Sequence, residues 1–136
     1  MPELEPFCTI EGQMSPRMVG RTPVGVRIDF PFQGVATGPH WEGERPVSGV
    51  DYATVRADGN MDLDIHGVIG EKRDSVGYTA TGVSVVLEDQ SAEINELLKF
   101  HTGSEDLAWL NDRIGVAIGR GAEGKITLEV YLVKRA

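Results

Sequence analysis

The sequence predicts an all-β protein whose mainly antiparallel strands form a closed or nearly closed β-barrel, with one short α-helix. Three observations support this fold class. Runs in which apolar and polar residues alternate, as they do along a half-buried strand, recur through the chain. Turn residues, above all glycine, separate these runs. Several short strands in one domain build a sandwich or a barrel, and a barrel leaves no exposed edge strand.

The length of the chain predicts one domain. Its 136 residues can enclose a sizeable core but are too few for two ordinary domains. We therefore expect a single β-barrel domain over residues 1–136, in which residues 1–20 form an irregular N-terminal segment. No internal repeat, linker or low-complexity tract divides the chain.

The first strand is expected at residues 24–32, where apolar residues recur at every second position and a proline stands near the end. A glycine-punctuated region follows at 34–44. Two short strands, 51–56 and 61–66, are then joined by residues 57–60. The Asp-Gly pair in this connection favours the positive φ of a tight hairpin.

Further strands are expected at residues 76–87, 114–118 and 126–133, the last two joined by a glycine-rich loop. The one predicted helix covers residues 91–100. Ser91 is a suitable N-cap for it, and its apolar stripe consists of Ile94, Leu97 and Leu98. Because a helix of about ten residues is marginal alone, we expect it to lie on the sheet or to plug one end of the barrel.

The composition and charge of the chain exclude several classes of partner and location. Thirteen basic and 21 acidic residues give a net charge of −8, and the basic residues are scattered. Nucleic acids and acidic membranes are therefore not expected as partners. The sequence contains no run of about 18 apolar residues, so no transmembrane helix is expected. Cys8 is the only cysteine, so no intrachain disulfide is expected, and an acidic start without signal-peptide features favours the cytoplasm.

The most distinctive segment is the strictly alternating run Met61-Asp62-Leu63-Asp64-Ile65-His66. In a strand, Asp62, Asp64 and His66 share one face and the apolar residues share the other. If the polar face lines a cavity, His66 and Asp64 form an acid–base pair, with Asp62 nearer the solvent at the strand's mouth. The alternative is an ordinary exposed polar face, because a half-buried strand places its polar side outward.

Other candidate residues flank this segment. Asp51 could act as a second carboxylate, and Arg56 or Asn111 could stabilise developing negative charge. An ordinary surface ion pair and a turn cap are the alternatives for the latter two. Large amphipathic side chains could line a pocket, although each is more often core packing; they are Trp41, Tyr52, Tyr78 and Trp109.

Several chemistries find no support in the sequence. Three ligands at alternate positions of one strand lie roughly 7 Å apart, too far for one metal ion unless His40 or His101 joins them. No Gly-x-Ser-x-Gly elbow is present, and Cys8 has no histidine near it in sequence. The glycine-rich loop at 119–124 lacks the lysine of a phosphate-binding loop. We expect neither a metal nor an organic cofactor.

The chain resembles the DUF3237 family of small proteins whose domain has no assigned function. The resemblance is in pattern and order, covers roughly residues 24–133, and rests on these stretches: Gly38-Pro39-His40-Trp41-Glu42-Gly43, Gly49-Val50-Asp51-Tyr52, Val55-Arg56-Ala57-Asp58-Gly59, Leu63-Asp64-Ile65-His66, Trp109-Leu110-Asn111 and Gly115 through Gly119. It implies an antiparallel, calycin-like β-barrel with a central cavity. It implies no reaction, because the family has no general activity.

Two departures from the family pattern bear on the candidate site. Tyr52 stands where the family commonly has an aromatic residue, often tryptophan, and His66 stands where the family tends to have arginine. A titratable imidazole in place of a permanent cation could alter or create proton-transfer chemistry. The stretch before Trp109 also looks shorter than is usual in the family.

These observations favour a cofactor-independent enzyme that performs acid–base chemistry on a small, partly apolar molecule in the barrel cavity. Isomerisation, cyclisation and elimination are all compatible with it. His66, Asp64 and Asp51 are its expected catalytic residues. A ligand-binding barrel without chemistry and a structural subunit are the alternatives. We also expect a homo-oligomer, most simply a dimer.

Overall fold

The computed structural model of the protein describes residues 3–134. Within them lie nine strands and two 3-10 helices, at Lys72–Asp74 and Ala108–Asp112. The strands are β1 (Glu3–Met14), β2 (Arg17–Thr22), β3 (Gly25–Thr37), β4 (Arg45–Val55), β5 (Met61–Ile69), β6 (Val76–Val86), β7 (Ala92–Thr102), β8 (Ile114–Ala122) and β9 (Lys125–Lys134). None of the helices in this part of the chain is long and apolar enough to cross a membrane.

Every strand pairs antiparallel with its neighbours, and β1 closes the barrel. From β3 to β9 each strand pairs with the next along the chain, and β1 then pairs with both β9 and the second half of β3. Strand β2 continues the line of β1 along the first half of β3: Met14 stands opposite Phe32, and Arg17 opposite Asp29. The prediction of a closed antiparallel β-barrel is confirmed, with eight strands around the barrel.

The predicted helix at residues 91–100 is wrong, because this segment is strand β7. Its residues alternate between a buried row and an exposed row, and the buried row contains Ile94, Glu96, Leu98 and Phe100. The strand pairs along its length with β6 and β8. Pairing on both sides satisfies the backbone, whereas a short apolar stripe at helical spacing would have left the helix marginal.

The expectation of an irregular segment at residues 1–20 is also wrong where the structure describes it. Strand β1 supplies the seam of the barrel, and Phe7 and Ile10 are almost fully buried in the core. A bulge between Pro6 and Cys8 shifts the register against β9, so that both Phe7 and Cys8 are buried. Residues 1 and 2 lie outside the described residues.

The two ends of the barrel differ. At one end the ring of Phe7 packs edge to face against Phe100, Trp41 and Trp109. His40 lies tilted against Phe7 and Trp109, and the ring centroids of the cluster are 4.9–6.4 Å apart. Leu107 and Leu110, in and beside the second 3-10 helix, are buried there as well. This aromatic cluster closes one end, and the barrel is hollow towards the other.

Candidate active site

A cavity of about 190 Å³ occupies the hollow part of the barrel. Its walls are mostly apolar, because the inward positions of the strands carry such residues as Phe30, Leu63, Ile65 and Leu128. It extends to the turn between β8 and β9, where Glu123 lies at its margin. Four polar side chains reach it deeper in the barrel: Asp51, Tyr78, Ser84 and Glu96.

Asp51 enters the cavity from β4. Its cross-strand neighbours are Phe30 and Ile65, both apolar and both on the cavity wall. The pairing of β4 with β5 is interrupted after Asp51, and there its carboxylate Oδ1 accepts the backbone N–H of Asp64 at 3.1 Å. Burial raises the pKa of Asp51 to about 6, against the hydrogen bond, which lowers it.

Glu96 enters the cavity from β7 and is only 7% exposed. Its cross-strand neighbours are Gly82, which has no side chain, and Ala117, which has only a methyl group, so neither covers its carboxyl group. It forms no hydrogen bond or ion pair with any of residues 3–134. Every side-chain N or O atom in this part of the chain that is closed to solvent has a hydrogen-bond partner, so the oxygens of Glu96 must be open to the cavity. Burial, followed by the charge of Asp51, raises the pKa of Glu96 to about 8.

Tyr78 enters the cavity from β6, opposite Gly67 of β5. A Cβ at Gly67 would lie 2.4 Å from Cζ of the tyrosine ring, so the ring lies directly over the glycine. Burial raises the pKa of Tyr78, and the negative charges of Glu96, Cys8 and Asp51 raise it further. Its hydroxyl is therefore a hydrogen-bond donor at neutral pH.

These groups divide the roles of acid and base. At neutral pH, Asp51 is largely ionised, whereas Glu96 and Tyr78 keep their protons. The site thus contains one carboxylate that can accept a proton, one carboxylic acid that can donate a proton and one tyrosine hydroxyl that can donate a hydrogen bond, in apolar surroundings. A pair of carboxyl groups with separated pKa values is a common arrangement for acid–base catalysis.

Asp64 and His66 lie on the outer face of β5, so the expectation that they face the cavity is wrong. Their side chains are each 61% exposed and stand 3.5 Å apart. The reason is the register: Leu63, Ile65 and Gly67 take the inward positions, and the polar row is left to solvent. Asp62 is on the same outer face.

Two of the predicted ligand-binding residues are on the outer surface. Tyr52 lies on the outer face of β4, with its ring 5.9 Å from that of His66 and 5.3 Å from the guanidinium carbon of Arg27. Arg56 pairs with Asp58 at 2.7 Å and with Asp62 at 3.1 Å. Neither reaches the cavity, so the expectation of a role in its lining is wrong for both.

The remaining predicted residues hold the closed end of the barrel. Trp41 Nε1 donates to the carbonyl of Ala36 at 3.1 Å, and Trp109 belongs to the same aromatic cluster. Asn111 accepts the N–H of Thr102 at 2.7 Å and donates to its carbonyl at 2.9 Å, which fastens the second 3-10 helix to β7. None of these three lines the cavity, so the expectation that they do is wrong. Of the predicted residues, the structure brings together Asp51 and Tyr78.

The residue that the sequence reasoning missed is Glu96. Its signal was present: residues 92–100 place Glu96 at an otherwise apolar position of a period-2 row, between Ile94 and Leu98. Asp51 likewise interrupts the inward row of β4, between Gly49 and Ala53. Among residues 3–134, no cluster of three or more metal-ligating side chains is present.

Comparisons with known proteins support the fold. The model of a family described as "Protein of unknown function (DUF3237)" matches residues 2–133. A protein of unknown function from Clostridium acetobutylicum ATCC 824 superposes with a TM-score of 0.85 at 20% identity, over 98% of this chain and 100% of that one. A β-barrel-like protein from Acinetobacter baumannii AYE gives 0.85 at 17% identity, over 98% and 97%.

A fungal structure described as an enzyme also matches. This enzyme from Penicillium herquei superposes with a TM-score of 0.71 at 19% identity, over 98% of this chain and 95% of that one. No curated protein matches the chain. At these identities the superpositions establish the shared barrel and leave the chemistry to the residues of each protein.

Proposed function

Because the chain belongs to the DUF3237 family, which has no assigned function, its activity must be argued from its own cavity, and we propose an acid–base enzyme that moves a proton on a small, partly apolar molecule. The observation that carries the proposal is the pair of carboxyl groups in one apolar cavity, the half-buried Asp51 on β4 and the buried Glu96 on β7. That a structurally similar protein is called an enzyme is compatible with it.

The division of protonation states defines the reaction. Asp51 accepts a proton from a carbon atom next to a carbonyl group; the electrons of the broken C–H bond form a C=C bond, and the π electrons of the carbonyl group move to its oxygen. Glu96 donates its proton to that oxygen, and Tyr78 donates a hydrogen bond to it, so that an enol forms without a net change of charge in the cavity. A protonated carboxylic acid in an apolar site performs this stabilisation well. In an unsaturated ketone the intermediate is a dienol; Asp51 then returns its proton to the far carbon of the dienol and the enol O–H returns its proton to Glu96, which completes an isomerisation.

The proposal is tested by exchange of carbon-bound hydrogen for deuterium. Cyclohexanone in D₂O, followed by NMR, reports proton abstraction next to a carbonyl group without knowledge of the natural substrate. We expect the wild-type protein to accelerate exchange and Asp51→Asn to lose about 100-fold or more of that acceleration, since a positioned base contributes about this much. Glu96→Gln should also slow exchange, because an amide cannot give up its proton.

The matched control is the double variant Asp64→Asn/His66→Ala on the outer face. It should exchange at the wild-type rate, because neither side chain reaches the cavity. The rate should rise as Asp51 ionises near pH 6 and fall as Glu96 ionises near pH 8. Loss of exchange in the outer variant, or its retention in Asp51→Asn, would refute the assignment.

A ligand-binding barrel without chemistry is the second candidate, and the same cavity favours it. Saturable binding of cyclohexanone in the cavity, with no exchange at any pH, would support this alternative against the enzyme.

The expected homo-oligomer stays a prediction. Leu97, Ile114 and Ile118 are exposed on the outer face of β7 and β8, where a second copy would cover them.

A further inference from the structure

The cavity offers hydroxyl donors that have no partner among residues 3–134. Glu96 is only 7% exposed, and Ser84 is 3% exposed. The hydroxyls of Ser84 and Tyr78 and the carboxyl of Glu96 form no hydrogen bond with the described residues, and all three side chains line the cavity. Ser84 lies on β6, two positions from Gly82, which faces Glu96. Because these groups open onto the cavity, they can bind the acceptor atoms of a molecule that enters it.

The electrostatics of the lining restrict the charge of that occupant. Glu96 faces Asp51 of β4, whose charge raises its pKa. Tyr78 on β6 and Glu123 in the turn after β8 also line the cavity, and Cys8 on β1 acts on Tyr78. Among the described residues that line the cavity, none is a lysine, arginine or histidine. An anionic ligand would add a like charge to a poorly solvated site with nothing to neutralise it.

The same donors disfavour an ammonium group. The carboxylate of Asp51 already accepts the N–H of Asp64, and the other polar groups deep in the cavity, Glu96, Tyr78 and Ser84, present O–H bonds. An ammonium group has three donors and no acceptor, so it would leave these hydroxyls without a partner. A carbonyl oxygen, which carries two lone pairs and no charge, satisfies two of them at once.

We infer that the substrate is an uncharged carbonyl compound, a ketone, aldehyde or ester with an apolar body, whose oxygen docks on Glu96, and that the cavity rejects carboxylates, phosphates and amines of the same shape. This inference rests on the proposed function for the position of the site, and it adds the class of substrate.

Three probes of one shape test the inference: cyclohexanone, cyclohexanecarboxylate and cyclohexylammonium. Each is titrated into the full-length protein at pH 7, and backbone amide shifts at Gly67 and Gly82 report occupancy of the cavity. We expect cyclohexanone to bind and each charged probe to bind at least about tenfold more weakly, the factor that corresponds to one good polar interaction. Carboxylate binding equal to that of the ketone, or the tightest binding by the ammonium probe, would overturn the inference.

The dependence of binding on pH separates a role of Glu96 in docking from a structural one. Ketone affinity should fall by about tenfold from pH 7 to pH 9, as Glu96 loses the proton that it donates. Glu96→Gln keeps N–H donors and cannot ionise, so its affinity should stay constant over this range. Equal pH dependence in the wild type and in Glu96→Gln would overturn the assignment of the docking group.

A variant of Asp51 tests whether the charge in the cavity is what weakens the binding of anions. Asp51→Asn removes the group that is ionised at pH 7, so it should raise the affinity for cyclohexanecarboxylate by about tenfold. Glu93→Gln, on the outer face of β7, removes an acidic side chain outside the cavity and should leave that affinity unchanged. Equal gains in both variants would mean that the overall charge of the protein, and not the cavity, rejects anions, and would overturn the inference.

The binding experiment tests the substrate class and the exchange experiment tests the proposed enzyme, so the two proposals can fail independently. Selective ketone binding without hydrogen exchange would refute the proposed enzyme and leave the substrate class intact. Exchange of cyclohexanone together with equal binding of the charged probes would do the reverse.

Discussion

The outer face of β5 and the inner faces of β4 and β7 carry the same kinds of side chain in opposite surroundings. Outside, Asp64 and His66 are each 61% exposed and form a regular polar row with Asp62. Inside, Asp51 and Glu96 stand singly among apolar neighbours, and burial raises the pKa of both. Solvent water stabilises the charged form of the exposed side chains, whereas burial disfavours the charged form of Asp51 and Glu96.

The difference teaches how a reactive site is recognised in a β-barrel sequence. A regular alternation of polar residues is what any half-buried strand shows on its solvent side. A single carboxyl group at an inward position of an apolar row costs stability unless it is paired or neutral, so it is retained for a reason other than stability. The interruption of a pattern, and not the pattern, marks the site here.

The largest expected difference in the free energy of unfolding is between alanine variants of two adjacent residues of β5. Ile69 is 1% exposed and points inward, and Val68 is 40% exposed and points outward. Ile69→Ala should lower the free energy of unfolding by about 2–5 kcal/mol, because it leaves a void in the packed part of the core. Val68→Ala should cost about 0.5–1 kcal/mol, as measured by urea denaturation. Equal losses would contradict the assignment of the two faces.

The next effect concerns pH. The pKa of Glu96 is raised from 4.5 to about 8 and that of Asp51 from 3.8 to about 6. The folded state therefore binds more protons than the unfolded state between these values, so stability should fall as pH rises from about 4 to 8. Glu96→Gln should remove most of this slope and be more stable than the wild type at pH 8, by on the order of 3 kcal/mol.

Urea unfolding at pH 5, 6.5 and 8 measures this slope. Glu93→Gln, on the outer face of the same strand β7, is the control, and it should keep the wild-type slope because its side chain is exposed to solvent. If Glu96→Gln and Glu93→Gln changed the slope equally, burial would not be the origin of the effect.

A smaller effect is expected where Tyr78 covers Gly67. A methyl group at this glycine would lie 2.4 Å from the ring and force it to move. Gly67→Ala should lower the free energy of unfolding by about 1–3 kcal/mol, the usual cost of overpacking, and should shift the tyrosine ring resonances in NMR spectra. Gly103→Ala is the control, since its Cβ would meet no atom within 4 Å. Unchanged ring resonances in Gly67→Ala would contradict the packing of Tyr78 on the glycine.

The smallest effect should come from the outer row. His66→Ala and Asp64→Asn should each change the free energy of unfolding by less than about 0.5 kcal/mol, because an exposed ion pair contributes little and salt screens it. Urea denaturation at low and high salt measures this. A loss above about 1 kcal/mol would show that the outer row is more than a solvated face, and would weaken its contrast with the inner acids.

The fold was largely readable from the sequence. Period-2 runs such as residues 24–32 and 126–133, and the Asp-Gly turn at residues 57–60, became β3, β9 and the β4–β5 hairpin. These signals are local, because alternation and turn chemistry depend on residues close in sequence. Strand β7 was misread because Ile94, Leu97 and Leu98 also fit a helix, and only pairing with β6 and β8 decides between the two.

The candidate site was readable only in part. Asp51 and Tyr78 were identified by residue type, and Glu96 was hidden within the segment that was read as a helix. The choice between Asp51 and Asp64 could not be made locally, because the two are brought together by the register of β4 on β5. A shift of one residue in that register would exchange the inner and outer faces.

The sequence by itself determined an alternating, glycine-punctuated chain that can bury its apolar rows only by closing a sheet on itself. Only the tertiary structure decided which acids are inside. Closure sets the curvature and register of eight strands together, and burial follows from that arrangement. Asp64 and Asp51 are the same residue type in the sequence, and the barrel wall leaves the first in solvent and turns the second towards the cavity, where burial raises its pKa.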